Sequence, residues 1–151
     1  MTDAPGGWGL SPRQERREPL RGPGATGAGA AEADGRCVLV VDDDAVLRRV
    51  VRAVLEADGF RVIEAHDGRQ GLELAASERP QVVILDVMMP GLDGVEVCRR
   101  LDHKETKVLM LTALGDVTTE VASLEAGARG YLTKPFSSME LLDRVEELLR
   151  Q

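Results

Sequence analysis

The sequence predicts an α/β fold, a parallel sheet covered by helices on both faces, and three observations predict it. From Arg36 onward, five short apolar runs alternate with five stretches of helical spacing. Aromatic residues make up only 3% of the 151, so aliphatic side chains must build the core. The first 35 residues lie outside the pattern: they hold 8 of the 16 glycines and 4 of the 7 prolines, and no Val, Ile or Phe. Such a segment cannot bury enough apolar surface to offset its ordering entropy. Residues 1–35 therefore read as a disordered tail and 36–151 as the folding unit.

The elements follow in order. Cys37 to Val41 (CVLVV) is a near-continuous β-branched run ending in Asp42, as expected of a strand buried on both faces. Asp44 is placed to cap a helix whose Leu47, Val50, Val51, Val54 and Leu55 recur at helical spacing, and Gly59 stops it. Phe60 to Ala65 is the second strand. A helix over about Gly68 to Ser77 follows, with Leu72, Ala75 and Ala76 as a modest apolar stripe. Pro80 opens the third strand, Val82 to Leu85, which runs directly into Asp86. Pro90, Gly91 and Gly94 mark a loop before a short helix over about Val95 to Leu101. Val108 to Leu111 is the fourth strand, about Thr118 to Ala126 the fourth helix, and Gly130 to Thr133 the fifth strand. Ser137 caps a last helix, with Leu141, Leu142, Val145, Leu148 and Leu149 on one side.

Composition excludes several classes. A net charge of −7 argues against a chain held electrostatically on nucleic acid or on a membrane surface. No apolar stretch approaches the roughly 20 residues that span a bilayer, and Arg16-Arg17 is not followed by the apolar segment of an export signal. A cytoplasmic location is the expectation. Cys37 and Cys98 lack metal-ligand spacing and read as two buried thiols. His66 and His103 read as surface residues, Met88 and Met89 as gap-fillers, and Trp8 with Leu10 as a minor docking candidate in the tail.

In a parallel α/β sheet, ligands bind outside the carboxyl ends of the strands. Those ends carry Asp42, Asp43 and Asp44 after the first strand, Asp86 after the third, Thr112 after the fourth, and Lys134-Pro135 after the fifth. Crowded carboxylates repel unless a cation sits among them, and a hard divalent ion such as Mg²⁺ suits oxygen ligands. Asp86 is then placed to attack phosphorus and form an acyl phosphate, with Thr112 donating to one phosphoryl oxygen and Lys134 neutralising another.

With these residues in view, the sequence resembles a response-regulator receiver domain. The resemblance spans about Arg36 to Arg150 and is carried by VVDDD (Val40 to Asp44), ILDVMMPGLDG (Ile84 to Gly94), LTA (Leu111 to Ala113) and EAGARGYLTKPF (Glu125 to Phe136). It implies a flavodoxin-like, doubly wound five-stranded sheet of order 2-1-3-4-5 with five helices. It implies Asp86 as phosphoacceptor, and Asp43 and Asp86 as direct ligands of Mg²⁺, with Mn²⁺ as a substitute. Asp42 would assist the metal through water, and the main-chain carbonyl of Met88 would supply a further ligand. Thr112 and Tyr131 match the family's switch pair, and Lys134 its phosphate-contacting lysine, joined to Pro135 by a cis peptide bond. The implied partners are a sensor histidine kinase or histidine phosphotransfer protein as donor and a downstream protein as target, with no direct nucleic acid and no membrane. The exposed Ala45, Val46 and Arg49 would form the docking surface for the donor helix.

Three departures qualify the match. Met88 and Leu114, two residues beyond Asp86 and Thr112, are apolar where many relatives carry a polar group, which predicts a long-lived phosphoryl group. Arg129 and Gly130 stand where many DNA-binding relatives have an acidic pair, so a phosphorylation-dependent dimer of the usual charge pattern is disfavoured, although Glu140 and Arg144 remain compatible with it. The last helix ends near Arg150, so a stand-alone signalling module, not a turnover enzyme, is the expectation. A small Mg²⁺-dependent phosphatase with an aspartyl-phosphate intermediate is the enzyme alternative, but Met88 occupies the place of its second acid. A flavodoxin is disfavoured by the acidic first loop. A phosphorylation-independent interaction module is disfavoured because no member of the acid, Thr and Lys set is missing.

Overall fold

The computed structural model describes residues 36–151. Trp8 and Leu10 lie outside the described residues. Five strands, β1 (Cys37–Val41), β2 (Arg61–Ala65), β3 (Val82–Asp86), β4 (Lys107–Ala113) and β5 (Gly130–Lys134), alternate with five helices, α1 (Ala45–Ala57), α2 (Gly68–Glu78), α3 (Gly94–Arg100), α4 (Val117–Glu125) and α5 (Ser138–Leu149). All pairings are parallel and the strand order is β2-β1-β3-β4-β5, the doubly wound arrangement expected from the sequence. Order reverses between β1 and β3, which places a crevice at their carboxyl ends.

The period-two alternation of each strand divides the core into two layers. Val38, Val40, Val82, Ile84, Leu109 and Leu111 face α1 and α5, where they meet Val51, Leu55, Leu141, Val145 and Leu148. Leu39, Val41, Val83, Leu85, Val108 and Met110 face α2, α3 and α4 and pack with Val97, Cys98 and Ala126. β1 and β3 are buried along their whole length, as their unbroken apolar runs require.

Side chains set the helix starts. Asp44, Asp67, Asp93, Asp116 and Ser137 each accept a backbone N–H at a helix N-terminus, and Ser137 with Glu140 completes a reciprocal capping box. Gly71 brings α2 against β1, where an added Cβ would lie 2.9 Å from a Val41 methyl.

Four local readings are corrected. β4 extends to Lys107–Ala113 because its register continues with both neighbours, so Thr112 lies within the strand, opposite Thr133. Ala76 is exposed and is not part of the α2 core stripe. Met88 is 71% exposed, so only Met89 of the pair fills space in the core. His103 is half-buried, not a surface residue: its ring Nε2 lies 2.6 Å from the Cys98 carbonyl oxygen at the end of α3. The two cysteines are free and buried, and burial pushes the Cys98 thiol up to about 11, which leaves it un-ionised and inert.

Candidate functional site

The carboxyl ends of β1 and β3 bring three acids together. One carboxylate oxygen from each of Asp42, Asp43 and Asp86 lies within 4.8 Å of the others. Their environments differ: Asp42 and Asp86 are buried, and Asp43 is exposed. Asp42 uses both oxygens inside the protein, accepting the Asp44 N–H at 2.9 Å and meeting Lys134 Nζ at 3.3 Å. Asp86 Oδ1 accepts the Met88 N–H at 3.2 Å and lies 3.3 Å from the same Lys134 ammonium.

β5 delivers Lys134 between these two acids, and the Lys134–Pro135 peptide is cis. One ammonium against two buried carboxylates leaves the cluster short of positive charge. Burial and the neighbouring Asp42 charge push the Asp86 carboxyl up to about 6, against the opposing pull of Lys134 and the Met88 N–H. The donor set of carboxylate oxygens with one acid open to solvent fits a hard divalent cation.

Thr112 lies on β4, one residue beyond Leu111, the register partner of Asp86. Its hydroxyl oxygen is one of two buried side-chain polar atoms without a hydrogen-bond partner among the described residues, the other being His103 Nδ1. Leaving a buried hydroxyl unpaired costs about 1–3 kcal/mol. Tyr131 on β5 is half-buried against the α3 and α4 side of the core, level with Met110.

Gly94 sets the site's floor. A Cβ there would stand 2.2 Å from the Asp86 carbonyl oxygen, and the Gly94 N–H donates to the Val87 carbonyl at 3.0 Å. Sequence reading took this glycine as loop punctuation and missed its close approach to the acid strand. It also missed Arg48, which donates to the Asp42 carbonyl oxygen at 2.6 Å. Its signal was weak, a basic residue in the first turn of the helix that follows the acidic strand end.

Several apolar residues that follow the strand ends in sequence are exposed. Val46, Met88, Leu114 and Val117 are all exposed, Leu114 at 82%. The described residues contain no helix long and apolar enough to cross a membrane. Glu140 and Arg144 are engaged within the domain, Glu140 in the α5 capping box and Arg144 donating to the Tyr131 carbonyl at 3.2 Å.

A doubly wound sheet with an acidic centre and a lysine at its carboxyl edge defines a class, the CheY-like flavodoxin fold. Comparison with known proteins gives the family: the response regulator receiver domain model matches residues 38–146, and the chain belongs to that family. It is 51% identical over 116 residues to the response regulator MprA of Mycolicibacterium vanbaalenii, covering 76% of this chain and 50% of the relative. The MprA of Mycobacterium tuberculosis is 49% identical over the same span, so the chain spans about half the length of these curated relatives. Among solved structures, the chemotaxis protein CheY4 of Vibrio cholerae superposes with a TM-score of 0.71 at 34% identity, covering 75% of this chain and 98% of that one. The receiver domain of the Francisella response regulator 1452 gives 0.70 at 35% identity, with coverage of 77% and 98%.

Proposed function

We propose that the domain is a phosphoacceptor switch of two-component signalling, in which Asp86 takes a phosphoryl group from a histidine kinase or histidine phosphotransfer protein. The observation that carries this reading is the convergence of Asp42, Asp43, Asp86 and Lys134, with the unpartnered hydroxyl of Thr112 on the adjacent strand β4. With its carboxyl at about 6, Asp86 is mostly ionised at neutral pH and is the nucleophile. An Asp86 oxygen attacks phosphorus, the donor's N–P bond breaks, and an acyl phosphate remains. Lys134 shifts from carboxylate to phosphoryl oxygen, and Thr112 gives the incoming group the hydrogen bond its hydroxyl lacks.

Asp43 and Asp86 would hold Mg²⁺ or Mn²⁺ directly, with the Met88 main-chain carbonyl as a further ligand and Asp42 acting through water. When bound, the cation supplies charge neutralisation for the entering phosphoryl oxygens. The exposed Ala45, Val46 and Arg49 on α1 suit docking of the donor helix beside the acids. The readout follows from inward movement of Thr112 coupled to Tyr131, which shifts a pre-existing equilibrium of the α4 and β5 surface. That surface carries Val117, Val121 and Leu124, exposed at helical spacing and fit for a protein partner.

The test is intact-mass analysis with a small-molecule phosphodonor and Mg²⁺. The expected result is a metal-dependent gain of one phosphoryl group that Asp86→Asn abolishes. Steady turnover of a phosphate ester would instead support the phosphatase alternative, and an equal gain in Asp86→Asn would overturn the assignment.

A further inference from the structure

Arg48 ties the acidic loop to the neighbouring strand. Its side chain is 15% exposed, with Nη1 donating to the Asp42 carbonyl oxygen at 2.6 Å and Nε to Glu64 Oε1 at 3.0 Å. Glu64 stands on β2 in register with Val40, and its other oxygen accepts Arg52 Nη1 at 3.2 Å. The Asp42 N–H is bound by the Ala65 carbonyl at 3.2 Å. Residue 42 is therefore fastened to β2 twice, directly through its N–H and by way of Arg48 and Glu64 through its C=O. That carbonyl belongs to the peptide joining Asp42 to Asp43. Fixing it fixes the direction in which the chain carries the exposed Asp43 carboxylate.

We propose that Arg48 is a positioning residue for the metal-binding acids: clamped by Glu64, it holds the Asp42–Asp43 peptide so that the Asp43 carboxylate faces Asp42 and Asp86 before a cation arrives. The inference rests on the reading of these acids as a divalent-cation site. Groups that orient ligands from behind are worth about 10- to 100-fold in metal affinity.

Charge and position act here with opposite signs, which makes the idea testable. A guanidinium beside an acidic cluster disfavours a cation by charge alone, so its removal should tighten binding if charge is all it supplies. If it positions Asp43, removal should weaken binding. Mg²⁺ affinity is measured by calorimetry on the full chain for wild type, Arg48→Gln and Arg48→Lys, each first shown to be folded by thermal melting. The expected results are a loss of about tenfold for Arg48→Gln and a smaller loss for Arg48→Lys, whose single ammonium keeps the charge but not both contacts. In the metal-free protein, amide exchange at Asp43 and Asp44 should quicken in Arg48→Gln. Affinity unchanged or tightened in either folded variant overturns the proposal while leaving the site reading intact. Absence of Mg²⁺ binding by the wild type overturns both.

Discussion

Asp86→Asn should stabilise the metal-free domain, and the gain should depend on pH. The carboxyl is pushed up to about 6 by burial and by the Asp42 charge, from an ordinary value of 3.8. The folded state therefore binds this proton more tightly than the unfolded state does. Below pH 4 both states are protonated and no penalty arises. As pH rises from 4 to 6 the unfolded chain ionises first, and stability falls. Above 6 the folded state carries the full cost of the charge, about 2 pH units or about 3 kcal/mol. An Asn side chain is neutral at every pH, keeps an acceptor for the Met88 N–H, and leaves Lys134 paired with Asp42.

The assay is thermal or denaturant unfolding in EDTA of wild type and Asp86→Asn at pH 4.5 and pH 8. The variant should be more stable by about 1 kcal/mol at the lower pH and about 3 kcal/mol at the higher. For a domain of this size the latter corresponds to roughly 10 °C in melting temperature. Mg²⁺ in excess should narrow the gap at pH 8, because only the wild type retains the full acid set. A gap that is equal at the two pH values, or a variant less stable than wild type at pH 8, would refute the electrostatic reasoning.

Three further outcomes follow from the same geometry. Asp43→Asn, which removes a like charge within 4.8 Å of its neighbours, should stabilise the metal-free fold by about 1 kcal/mol and abolish most of the Mg²⁺-induced rise in melting temperature; destabilisation counts against it. Gly94→Ala should cost about 3 kcal/mol in denaturant unfolding, because the new Cβ meets the Asp86 carbonyl and the Val87 backbone, neither of which can give way. Met88→Asn combined with Leu114→Glu should shorten the phosphoryl lifetime by about tenfold after acetyl-phosphate loading, since polar groups at these exposed positions can orient a hydrolytic water. An unchanged decay rate by intact mass would remove that explanation.

The fold was legible because its central strands β1 and β3 are short, aliphatic and buried on both faces. CVLVV and VVIL announce themselves without any partner, and the capping residues Asp44 and Ser137 mark where the first and last helices begin. The site was legible for a related reason. Once the strands are parallel, residues at their carboxyl ends must share one edge, so Asp42, Asp43, Asp86 and Lys134 could be gathered before any distance was known.

What escaped the sequence shares a different character. Arg48, Gly94 and His103 act on main-chain carbonyls, at Asp42, Asp86 and Cys98 respectively, and a backbone acceptor has no residue type to betray it. Strand-end chemistry is written in side chains, whereas the framework holding those ends in place is written in carbonyl directions that exist only after folding. The two meet at Asp42, whose carboxylate serves Lys134 while its carbonyl serves Arg48. A change at either contact should therefore reach the other through a single residue, which makes the β1–α1 turn the place where the acid site's charge and its geometry are coupled.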